Sequence, residues 1–84
     1  MKDARYYDAL PWEVQNERDL RQDGSIYYVA RHPEFGTISG PMGTGSTPEE
    51  ARADLKEARR SLIRVLLEHG DPIPEPRPLR VTLT

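Results

Sequence analysis

"GPMGTGST" occupies residues 40–47 and runs without a break into "PEEARADLKEARRSLIRVLLEHG" at 48–70. How this junction is read decides the fold. A glycine-rich turn entering a helix is either a phosphate cradle or only an entrance. Against the phosphate-loop pattern G-x-x-x-x-G-K-[ST], Gly40, Gly45 and Thr47 match, and Ser46 stands in place of the lysine. That lysine supplies the charge that answers the β- and γ-phosphates. Glu49 and Glu50 then put two carboxylates into the first helical turn, where they satisfy the helix dipole themselves and oppose an incoming anion. The stretch reads as a loose entrance to a helix.

The helix runs from Thr47 to His69. Thr47 is its N-cap, Pro48 suits the first helical position, and Glu50 completes a T-x-x-E capping box. Gly70 supplies the left-handed residue at the far end, with Pro72 just beyond. At about 100° per residue, Ala51, Leu55, Ala58, Leu62, Val65 and Leu66 share one arc, the face expected to lie on a sheet. Glu50, Asp54, Glu57 and Glu68 form an acidic sector, and Arg52, Lys56, Arg59, Arg60 and Arg64 a basic one. Ile63 and Leu67 fall inside the basic sector, an apolar pair outside that expected core. Arg60, Ile63, Arg64 and Leu67 are therefore the candidate partner or oligomer interface, an apolar patch rimmed by arginines. The alternative is a solvated face carrying two single apolar residues.

Upstream, residues 1–10 read as a lead-in. "PWEVQNE" (11–17) alternates with period two, as a strand with one wet face does. Asp23-Gly24 marks a hairpin turn. "SIYYVARHP" (25–33) is a second strand rich in aromatic and β-branched residues, ended by Pro33. "GTIS" (36–39) is read as a short third strand, and the remainder of 34–46 as loop. Downstream, the prolines of "DPIPEPRP" (71–78) predict a stiff extended connector, and "LRVTLT" (79–84) a fourth strand. The expected fold is one α+β domain over 1–84, β-β-β-α-β, a small antiparallel sheet with one long helix packed on it.

With 84 residues, such a domain buries only about 60–65% of its chain surface, which favours help from an oligomer or a partner. A composition 36% hydrophobic and 31% charged is that of a folded chain, and a net charge of −2 offers no global attraction to nucleic acid. The absence of cysteine removes disulfides, thiolate nucleophiles and sulfur-ligated zinc. No apolar run approaches the ~20 residues needed to span a bilayer, and the N-terminus has no signal-peptide core, so a cytoplasmic location without membrane contact is expected.

Side chains capable of chemistry are scattered. Glu13, Glu17, Asp23 and Glu34 lie on strands and turns without forced convergence, whereas two-metal hydrolysis needs clustered carboxylates. His32 ends a strand and His69 sits in the last helical turn, neither with a ligand-spaced partner. Arg52, Lys56, Arg60 and Arg64 follow one flank of the helix as a phosphate-tracking row would, but lack neighbouring aromatic residues for stacking. These observations assign no catalytic, cofactor or metal site.

Taken together, Tyr28, Ala30, Pro33 and Glu34, then Gly45, Thr47, Glu49, Glu50 and Ala51, then Gly70, Ile73, Pro74 and Pro76 stand in an order and spacing that resembles the HicB family of bacterial and archaeal antitoxins. The resemblance covers about residues 12–77. It implies a partial, degenerate RNase H-like β-β-β-α-β fold without the nuclease carboxylates. It also implies a protein that is not an enzyme, forms homo-oligomers and neutralises a small mRNA-cleaving toxin of double-stranded-RNA-binding fold by direct contact. The sequence departs from the family pattern between Pro33 and Thr47, where the segment is longer and the usual cysteine is missing. The helix-turn-helix or ribbon-helix-helix region of many members has no counterpart in this sequence, so direct DNA binding by this chain is not expected. The alternatives are an orphan oligomeric domain and a residual metal-dependent nuclease.

Overall fold

A computed structural model describes residues 1–36 and 40–76. The elements are α1 (Ala4–Asp8), β1 (Gln15–Leu20), β2 (Ile26–Arg31), a 3₁₀ turn (Pro33–Phe35), β3 (Met42–Gly45) and α2 (Pro48–His69). The three strands form one antiparallel sheet in the order β1-β2-β3, followed by the single long helix. This is the expected α+β arrangement. The predicted fourth strand at 79–84 and the end of the connector lie outside the described residues.

β3 is the main correction, because it falls where the glycines suggested loop. Its pattern, Met42-Gly43-Thr44-Gly45, is itself a period-two signal in which every second residue lacks a side chain. Gly43 pairs with Ala30 and Gly45 with Tyr28, and Ala30 and Tyr28 face Ala51 and Leu55 of α2. A Cβ on Gly43 would overlap the Ala51 carbonyl oxygen and the Leu55 amide nitrogen; one on Gly45 would come within 2.5 Å of Glu50 Cβ. These two glycines let helix backbone lie directly on strand backbone. Of the predicted strand "GTIS", Gly36 follows the 3₁₀ turn and residues 37–39 lie outside the described residues.

The acidic sector of α2 closes the outer edge of β3. Asp54 Oδ2 accepts the Thr44 amide at 2.9 Å, and Glu50 Oε2 accepts the Ser46 amide at 2.9 Å. Thr47 Oγ1 accepts the Glu50 amide at 3.1 Å, so the cap forms with its reciprocal bond one residue earlier than in a standard capping box. The position a phosphate would take is thus held by the protein's own carboxylate. At the other end, Gly70 is left-handed at φ +69° and closes α2 by donating its backbone N–H to the carbonyls of Leu66 and Leu67.

The hairpin turn forms as predicted. Gly24 has φ +87°, and Asp23 Oδ1 accepts both the Ser25 amide and the Ser25 hydroxyl. The first strand, however, begins at Gln15 instead of residue 11. Trp12 leaves the sheet to stack on Phe35 at 5.0 Å between centroids, with His32 5.6 Å away, and donates Nε1–H to the Tyr7 carbonyl. All six residues of β1 are exposed, since α2 packs chiefly on β3 and then on β2.

The buried face of α2 also differs from the expected arc. Ala51, Leu55, Arg59 and Ile63 are buried, Leu62 is half-buried and Val65 is 45% exposed. The stripe is an i,i+4 row that drifts toward the basic sector, rotated by roughly 50° from the predicted one. Its cause is α1. Residues 4–8, expected as lead-in, form a short helix capped by Asp3 and packed against α2. Among the described residues no helix is long and apolar enough to cross a membrane.

A candidate partner-binding cleft between the two helices

Asp8, at the end of α1, organises the contact between the helices. Its Oδ1 accepts from Arg59 Nη2 at 2.6 Å and Nε at 3.2 Å, and its Oδ2 accepts from Arg60 Nε at 3.1 Å. Burial by itself would raise the Asp8 pKa; the hydrogen bonds and charges of the two arginines outweigh it and hold the carboxyl below its ordinary value.

Arg59 also reaches inward. His32, 1% exposed, donates Nδ1–H to the Glu13 carbonyl at 2.7 Å, which leaves Nε2 to accept from Arg59 Nη1 at 3.2 Å. These partners require the neutral Nδ1–H tautomer. Burial lowers the His32 pKa, and the Arg59 charge adds to that effect against the Glu13 bond. Both ring nitrogens are committed, so His32 joins α2 to the corner after β2 and has no lone pair left for proton transfer.

On the outer side of Asp8 lies a cleft of about 260 Å³ lined by Ala4, Arg5, Asp8, Arg60, Ile63 and Arg64. Its floor is apolar and its walls are arginine. Asp8 answers Arg59 and Arg60, and Arg60 also reaches Glu57 at 3.3 Å. Among the described residues, Arg5 and Arg64 have no carboxylate partner.

Of the four residues predicted as an interface, Arg60, Ile63 and Arg64 meet at this cleft, and Leu67, 37% exposed, lies outside its lining. Ile63 is a correction: at 1% exposure it belongs to the core, under α1, and is not part of an exposed apolar pair. Arg5, Asp8 and Arg59 were not anticipated. The available signal was D-A-R-Y-Y-D at 3–8, an Asp N-cap with Arg5 and Asp8 three residues apart on one helical face.

The remaining candidates are dispersed. Glu34 Oε2 accepts the Glu13 amide at 2.8 Å, Asp23 is spent on the turn, and Glu17 stands on exposed β1. Among the described residues no three His, Asp or Glu side chains gather as metal ligands would. No protein-family model, no curated protein and no solved structure matches this chain.

Proposed function

We propose that this chain is a binding module of the HicB-like antitoxin kind, acting without catalysis to neutralise a small mRNA-cleaving toxin by covering it. The single observation that carries the reading is the α1–α2 cleft, where cationic side chains are left over beside an apolar floor while the buried histidine and arginine are bonded to each other. The order of elements also supports it. A strand ending at Arg31 with Pro33–Glu34 in the 3₁₀ turn after it, a glycine-bearing β3 and one long helix stopped by Gly70 follow the order of the motifs that carry the resemblance. An antiparallel three-stranded sheet under one helix is compatible with the partial RNase H-like frame that resemblance implies.

Co-expression tests the proposal. A growth-arresting toxin encoded beside this gene is to be produced with and without the chain. Restored growth with the chain is the expected outcome, and continued arrest in the presence of soluble, folded chain contradicts it.

A second reading, an oligomeric domain acting with some other partner, is favoured by one feature. Leu20 (64% exposed) pairs across the hairpin with Ile26 (45% exposed) at the end of the sheet that α2 leaves open. Sedimentation of the chain and of a Leu20→Ser/Ile26→Ser variant, taken with the co-expression assay, distinguishes the readings: an assembly that dissociates in the variant, together with no rescue by the intact chain, supports this one.

A further inference from the structure

We propose that the α1–α2 cleft receives an acidic side chain from a partner protein, with Arg5 and Arg64 as the two cations that hold its carboxylate. This deepens the binding-module reading and rests on it.

The molecule already shows the chemistry once. Arg59 and Arg60 of α2 hold the carboxylate of Asp8 from α1, through three bonds between 2.6 and 3.2 Å. Arg64 is one helical turn beyond Arg60 on the same side of α2, and Arg5 is three residues before Asp8 on the same side of α1. Both helices therefore repeat their cationic character one step further along the cleft, and no carboxylate among the described residues answers it. Among the described residues three arginines and one aspartate line the space, and that aspartate is already paired with Arg60 and with Arg59 behind it. The imbalance is positive on a chain whose net charge is −2.

Size and lining choose among anions. A volume of about 260 Å³ falls below the usual ~300–1,000 Å³ of small-molecule sites and suits a single side chain with its stem. Ala4 and the aliphatic stems of Arg5, Arg60 and Arg64 offer apolar surface to methylene groups, while guanidinium groups pair with carboxylates in bidentate geometry. Among the described residues no aromatic ring lines the cleft, which gives a nucleic-acid base no platform there. These features favour an acidic protein segment over a nucleic-acid strand.

The test is an NMR titration of the intact chain at low salt with an end-blocked Ala-Glu-Leu-Glu-Ala peptide, its Gln analogue and inorganic phosphate. Shifts concentrated at residues 4–8 and 60–64 with the Glu peptide alone are expected, weakening as salt is added. Arg5→Glu with Arg64→Glu is expected to lower affinity by about tenfold or more, while Arg52→Glu, on the same helix but outside the cleft, leaves it within about twofold. Circular dichroism checks that the double variant is folded. The proposal is overturned by absent shifts, by equal response to the Gln analogue, by phosphate saturating the site more readily than the peptide, or by equal loss in the Arg52 variant. Toxin neutralisation is read separately, so peptide binding without rescue removes the toxin reading alone, and rescue without peptide binding removes this one alone.

Discussion

Arg59 Nη1 donates to His32 Nε2 across 3.2 Å, and this bond ties the middle of α2 to the corner that follows β2. With Asp8 on the other side of the same guanidinium, three elements distant in sequence are joined through one side chain. Arg59→Met is expected to destabilise the fold by about 2–3 kcal/mol. This is below the ~3–5 kcal/mol of a fully buried pair, because the Asp8 side chain remains 26% exposed. Urea unfolding measures it, and Asp8→Asn combined with Arg59→Met is expected to cost less than the sum of the single changes.

The same histidine makes stability depend on pH. Its folded pKa is depressed below the ordinary value, so the unfolded chain binds the proton more readily. The contribution is fully present above the unfolded value near 6.5 and is lost as pH falls through the folded one. Urea midpoints are expected to be lower at pH 5 than at pH 7.5, with a shallower slope in His32→Gln. The Asp8 contribution is lost at more acidic pH, below about 3.8, as its depressed folded pKa is passed.

Gly43→Ala is expected to cost about 2–3 kcal/mol or more, since the new methyl meets α2 backbone that cannot rotate away. Gly24→Ala meets nothing within 4 Å and bears only the cost of its positive φ, about 1 kcal/mol. Thermal unfolding of the two variants side by side separates close packing from turn geometry.

Asp54→Ala is expected to expose the Thr44 amide at the outer edge of β3. Hydrogen exchange at Thr44 should rise, with a stability loss of about 1 kcal/mol. Ser46, bonded to Glu50 instead, is expected to keep its protection in that variant.

Ile63→Ala is expected to cost about 2–4 kcal/mol, more than Leu62→Ala, because Ile63 is 1% exposed and Leu62 only half-buried. The contrast shows what could be read from the sequence. The helix, its two caps and the Asp23-Gly24 turn depend on neighbours within four residues, and local chemistry specifies them. Which helix face is buried depends on what packs there, and α1 was concealed in a segment too short for a periodic signal. β3 was missed because glycine reads as looseness until α2 is known to lie against it. At the cleft, Arg60, Ile63 and Arg64 emerged from the helix pattern, whereas Arg5 and Asp8 arrive by a tertiary contact that spans more than fifty residues.

The most direct test of the binding-module account is a cleavage assay with purified toxin and a defined mRNA, titrated with this chain. The account predicts that cleavage falls in proportion to added chain and ceases at a fixed stoichiometric ratio, with Arg5→Glu/Arg64→Glu shifting the end point upward. Cleavage that continues undiminished in a clear excess of folded chain would contradict it.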